Sequence, residues 1–170
     1  MNHTELRAQL AELHPMSFGW ALSCSRGDHA MADDVLQNAY VKVLDGSAQF
    51  SGKSTFKTWL FGLIRNTARE ERRRQLLRSA GLLRYEPPKS GPIDPGSVLS
   101  QKESCQRILL ALATLSPRQR EVLHLVFYQD LTIEQASQVM NVSLGSARKH
   151  YQRGKEQLRK CLEERSHESN

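Results

Sequence analysis

Thirteen residues between Tyr85 and Ser97 decide what this chain can become. The segment "YEPPKSGPIDPGS" carries four of the six prolines and two glycines. Proline removes a backbone donor and fixes φ, so no helix continues through such a run. We expect an extended, solvated tether there. It splits the chain into residues 1–84, a linker at 85–100, and residues 101–170. Each flanking unit lies near the lower size limit for independent folding, so neither can hold a large core.

Composition favours helix for both units. Only 6% of residues are aromatic, while Leu, Arg, Glu and Gln, all good helix formers, are plentiful. The expected fold class is all-α: two small helical domains joined by a Pro/Gly-rich linker. The formal charge of +6 and pI near 9.5 point to a polyanionic partner such as nucleic acid or an anionic membrane. No apolar run approaches the roughly 18 residues that span a bilayer, so no membrane insertion is expected. The opening "MNHTELRAQLAELHP" alternates charge with Leu instead of building a signal-peptide core. Cys24, Cys105 and Cys161 are odd in number and far apart. That disfavours a disulfide framework or zinc site and suits a reducing cytoplasm. The six histidines are scattered and read as ordinary residues.

In the first unit, Val35, Leu36, Ala39, Tyr40, Val43 and Leu44 recur at helical spacing. Asp33, Asp34, Gln37 and Asn38 fall on the opposite side. "DGSAQFSGKST" then makes a polar loop with one aromatic, Phe50. The next helix is expected to bury Phe56, Trp59, Leu60, Leu63 and Ile64, and to gather Arg65, Arg69, Arg72 and Arg73 on its other face. Cations beside an exposed ring suit single-stranded nucleic acid, because bases stack on rings while phosphates meet Arg. Phe50 is the better stacking candidate, since Phe56, Trp59 and Phe61 read as core. The bland reading of "REERRR" is a solvated face partly neutralised by Glu70 and Glu71.

The second unit opens with Ile108, Leu109, Leu112 and Leu115 on a helix. In "SPRQREVLHLVF", Ser116 caps, Pro117 sits at the first helical position and Gln119 completes a capping box. "LTIEQASQVMNVSLGSARKHY" reads as a helix-turn-helix. Thr132 and Gln135 start a short helix, Ala136, Val139 and Met140 face inward, Asn141 turns the chain and Val142 plugs the turn. Ser143 caps a second helix whose Ala147 and Tyr151 point to the core. Ser146, Arg148, Lys149 and Gln152 then face outward, as base-reading residues do in the major groove. Arg153 and Lys155 suit backbone phosphates, which add salt-sensitive affinity without sequence information. A merely solvated cationic helix is the competing reading, and the capped two-helix pattern with its plug argues against it.

Asp33 and Asp34 point about 100° apart on a helix, with no third ligand nearby, so no metal or catalytic pair is expected there. They remain either capping acids of a helix start or a docking surface for a basic partner. No catalytic set, metal site or cofactor motif emerges.

Together these segments resemble the extracytoplasmic-function (ECF) sigma factors, the small two-domain promoter-specificity subunits of bacterial RNA polymerase. "ADDVLQNAYVKVL" resembles the family's helix that docks on the polymerase clamp. "FKTWLFGLIRNTARE" resembles its helix that reads the −10 element, and "LSPRQREVL…LTIEQASQVMNVSLGSARKHYQRGKEQLRK" its −35-binding domain. The resemblance implies that Asp33, Asp34, Gln37 and Asn38 face the clamp of the polymerase's largest subunit. It implies that Phe50 and Asn66 line a pocket for a base flipped from the −10 strand, with Arg65, Arg69, Arg72 and Arg73 beside them. It also implies that Ser146, Arg148, Lys149 and Gln152 read the −35 duplex, and that the linker threads toward the RNA exit path. Core RNA polymerase and promoter DNA, duplex and single-stranded, are the implied partners, and an anti-sigma factor is a further family expectation. Asn38 departs from the acid common in the family, and "VKVLDGS" is shortened. Two rivals stand beside this reading: a self-sufficient helix-turn-helix regulator, and a nucleic-acid-processing enzyme, for which only Asp33–Asp34 offers a carboxylate pair.

Overall fold

A computed structural model describes residues 2–81 and 111–167, with side chains described through residue 163. The linker, Cys105, Ile108 and Leu109 lie outside the described residues. The described chain is helical and divides into two compact units.

The N-terminal unit contains α1 (His3–Cys24), α2 (His29–Leu44) and α3 (Phe56–Gly81), and each helix packs against the other two. Local chemistry sets every start. Asn2 and Glu5 form a reciprocal capping box on α1, Asp28 accepts from the Met31 N–H at 3.0 Å on α2, and Thr55 accepts from the Thr58 N–H at 3.1 Å on α3. Each satisfies a donor that the first turn leaves orphaned. α1 stops where Arg26 and Gly27 take φ of 56° and 84°. Their N–H groups return to Ser23 and Leu22 carbonyls at 3.3 and 3.0 Å, a Schellman closure.

The core interleaves Trp20 and Ala21 of α1, Val35 and Ala39 of α2, and Leu60, Phe61 and Ile64 of α3, all fully buried. Trp20 also donates its indole N–H to the Phe61 carbonyl at 3.0 Å. Burying this ring therefore contributes about 2–3 kcal/mol of apolar transfer without stranding its one polar atom.

The C-terminal unit follows with a helical end at residues 111–113, then α4 (Pro117–Phe127), α5 (Ile133–Met140) and α6 (Leu144–His167). The expected signals are realised as bonds. Ser116 and Gln119 exchange backbone bonds at 3.3 and 3.0 Å, as do Thr132 and Gln135 at 2.9 and 3.1 Å. α4 packs on α6. Their approach depends on Gly154, which is buried: a Cβ there would sit 3.0 Å from Leu123 Cδ1 and 3.2 Å from Gln119 Cβ.

Candidate nucleic-acid interface

α5, its turn and α6 make the helix-turn-helix. Asn141 takes the left-handed conformation, φ 53°, which asparagine tolerates better than most residues. Its N–H and that of Val142 close on the Gln138 and Ser137 carbonyls at 3.2 and 3.1 Å, a second Schellman turn. Val142 is half-buried as the plug. Ser143 then accepts from the Ser146 N–H at 3.1 Å and donates to the Ser146 hydroxyl at 3.0 Å. Ser146 is thereby fixed at the edge of the helix, half-buried rather than fully presented.

Beyond it, Ala147 is fully buried and Tyr151 stacks on Phe127 with centroids 6.0 Å apart. That orientation leaves Arg148, Lys149, Gln152 and Arg153 exposed on one contiguous face. Lys155 is exposed too, its ammonium 5.1 Å above the Tyr151 ring. None of these four cations has an ion pair among the described residues.

In the N-terminal unit the expected acidic face is real. Asp33, Asp34, Gln37 and Asn38 are all exposed on α2, and Val41, 58% exposed, extends the same face by one turn. Because Asp28 caps α2, Asp33 and Asp34 lie past its first turn and are not capping acids.

α3 departs from expectation in an instructive way. Arg69 and Arg73 are exposed and have no ion pair among the described residues. Arg65, expected beside them, is only 3% exposed. Being buried, it does not belong to the exposed cationic face. Arg72 is half-buried and donates to the Cys24 carbonyl at 2.8 Å, satisfying the end of α1. It is therefore a structural tie. The two glutamates that seemed to neutralise the face do not. Glu70 pairs with Lys42 of α2 at 2.7 Å, and Glu71 is largely buried, with Arg74 and Arg78 at 3.7 and 3.8 Å. The cation field left on this side is that of Arg69 and Arg73, one and two turns beyond the exposed Asn66.

The loop between α2 and α3 places its ring against this helix. Phe50 is half-buried, meeting Phe56 edge-on at 5.5 Å and Trp59 at 5.5 Å. Phe56 is buried as expected, whereas Trp59 and Leu63, read as core, are only partly covered. At the loop's other end, the Ser47 hydroxyl and N–H hold the Asp45 carboxyl below its usual range. Lys53, three residues after Phe50 and exposed, escaped the sequence reading, although a cation next to the loop ring was visible there.

The comparisons with known proteins agree with this layout. The family model for sigma-70 region 2 matches residues 10–77, and that for sigma-70 region 4 matches residues 111–160. The chain is 29% identical over 141 residues to the ECF RNA polymerase sigma factor SigX of Bacillus subtilis (strain 168), covering 80% of this chain and 73% of that protein. Among solved structures, the sigma factor RpoE in complex with the anti-sigma factor NepR from Bartonella quintana aligns with a TM-score of 0.67 at 25% identity, over 94% of this chain and 97% of that one. CnrH in complex with the cytosolic domain of CnrY shares the fold, with a TM-score of 0.64 at 19% identity, over 95% and 90% of the two chains. Region 2 and region 4 thus stand in order on one chain. The protein belongs to the ECF sigma factors, which direct bacterial RNA polymerase to its promoters.

Proposed function

We propose a division of this work among named surfaces. Residues 1–84 form the polymerase-docking and −10-reading domain, and residues 101–170 form the −35-reading domain. Asp33, Asp34, Gln37 and Asn38 dock on the clamp region of the polymerase's largest subunit. Phe50 and Asn66 hold a base flipped from the −10 strand, while Arg69 and Arg73 meet the strand's phosphates. In the second domain, Ser146, Arg148, Lys149 and Gln152 read the −35 duplex, with Arg153 and Lys155 on its backbone.

The observation that carries this partition is the separation of charge within one small bundle. α2 presents exposed carboxylates, and α3 presents Arg69 and Arg73 uncompensated because Glu70 and Glu71 are engaged elsewhere. A polymerase contact and a nucleic-acid contact are thus kept on different helices. The role is binding, not catalysis: flipping a base costs a few kcal/mol of stacking, which the polymerase's own contacts help to offset. Tethering the two readers raises their effective concentration at one promoter, so two weak contacts act as one stronger contact. The protein works in the cytoplasm with core polymerase, and an anti-sigma factor is its proposed antagonist. The relatives solved with NepR and with CnrY support that last assignment.

The partition is tested on reconstituted holoenzyme. Asn66→Ala is expected to slow opening of the −10 region while polymerase binding is retained, and Asp33→Lys with Asp34→Lys to weaken polymerase binding itself. Loss of polymerase binding in Asn66→Ala would contradict the assignment of that residue.

A further inference from the structure

Along the outward side of α6, Arg148, Gln152 and Lys155 fall on one stripe that spans two turns, about 10 Å along the axis. All three are exposed. Arg159 continues the stripe one turn on, but its Nε lies 3.8 Å from the Glu163 carboxylate. Lys155 is thus the last cation on the stripe without an ion pair among the described residues. A major groove is about 12 Å wide. When the start of α6 meets base edges, a group two turns farther on reaches the groove wall, where the phosphates stand.

A lysine by itself is an inefficient phosphate ligand, because its flexible four-carbon stem loses rotamer freedom once the ammonium is held. Here the stem is not left free. The Lys155 ammonium stands 5.1 Å above the Tyr151 ring, within cation–π range, and the two residues are one turn apart on the same helix. The ring is held in its turn. Phe127, at the end of α4, stacks on it with centroids 6.0 Å apart and planes 25° from parallel. Phe127 is 60% exposed, so burial in the core does not account for a phenyl ring there. Bracing Tyr151 does.

We propose that Tyr151, braced by Phe127, is a positioning residue for the −35 contact: its ring holds the Lys155 ammonium ready for a backbone phosphate at the groove wall. The inference rests on the assignment of Lys155 to the −35 backbone. An ammonium carries three donors, so it can stay over the ring while it donates to a phosphate oxygen. The stem is then ordered before DNA arrives, and less of that ordering cost falls on the binding step.

Binding of reconstituted holoenzyme, full chain with core polymerase, to a promoter fragment that it transcribes tests the proposal when measured over a series of salt concentrations. Lys155→Gln is expected to weaken binding and to lower the slope of log affinity against log salt by about one. Tyr151→Leu should weaken binding about two- to fivefold, the worth of an exposed cation–π contact, with −35 base preference unchanged. In the Lys155→Gln background, the same Tyr151→Leu substitution should cost nothing further, a non-additivity that a purely structural role would not produce. Tyr151→Phe, which keeps the ring face, should bind as wild type does. An equal loss from Tyr151→Leu in both backgrounds overturns the proposal, making the ring a packing residue while the Lys155 assignment stands. A loss in Tyr151→Phe as large as in Tyr151→Leu overturns it in favour of a contact by the hydroxyl. Unchanged affinity and slope in Lys155→Gln remove the backbone assignment of Lys155, and this inference with it.

Discussion

Within the C-terminal unit, two residues that look incidental in the sequence bear on its stability. At Gly154 an alanine gains helix propensity, worth about 1 kcal/mol, but its Cβ lies 3.0 Å from Leu123 and 3.2 Å from Gln119. The Gln119 contact is to a stiff Cβ that cannot swing away. Overpacking of this kind costs about 1–3 kcal/mol, so Gly154→Ala is expected to destabilise by about 1 kcal/mol net, seen as a lower urea midpoint. An unchanged or higher midpoint would mean that α4 and α6 accommodate the methyl freely. His124 is the other case. Burial depresses its pKa to about 4, against about 6.5 in an unfolded chain. The unfolded state therefore takes up the proton first. His124's contribution is fully present above pH 6.5 and is lost as pH falls from 6.5 toward 4, by about 3 kcal/mol at the lower end. An NMR titration placing the His124 ring near 6.5 would contradict this. Neither role was legible in the sequence. A glycine does not announce what it touches, and six scattered histidines look alike until one is packed away.

At the scale of single elements, legibility followed local chemistry. Helix starts in the second unit were readable because a cap is a contact between near neighbours: Ser116 with Gln119, Thr132 with Gln135, Ser143 with Ser146. The turn at Asn141 was readable for the same reason. α1 was not, because Pro15 sits inside it and its buried residues include Ser17, Ala21 and Cys24 beside Trp20, too mixed a set to make an apolar stripe. α3 was half legible. Phe56, Leu60 and Ile64 define its buried seam, but apolar character alone does not say which residues beside the seam are covered. Arg65 is buried, and Trp59 is left partly open. Side-chain charge was thus a poorer guide than position. On α6 the two agree, because Ala147 fixes the rotation. Arg148→Ala is accordingly expected to relax −35 sequence preference at the cost of about 1–3 kcal/mol. Equal losses on all sequences, measured by competition binding of holoenzyme, would make Arg148 a phosphate contact.

For the whole molecule, the net charge of +6 includes exposed cations with no ion pair among the described residues. Arg69, Arg73 and Lys53 are among them in the N-terminal unit, and Arg148, Lys149, Arg153 and Lys155 in the C-terminal unit. Each phosphate contact releases condensed counterions, so promoter binding must weaken steeply with added salt. The central claim is that this chain gives polymerase its choice of promoter. Run-off transcription by core polymerase on a library of promoter fragments, with and without the protein, tests it most directly. Transcripts are expected only when the protein is present, from fragments sharing two short motifs at a fixed spacing. Equal transcription from all fragments, or tight binding of the free protein to symmetric sites without polymerase, would contradict it.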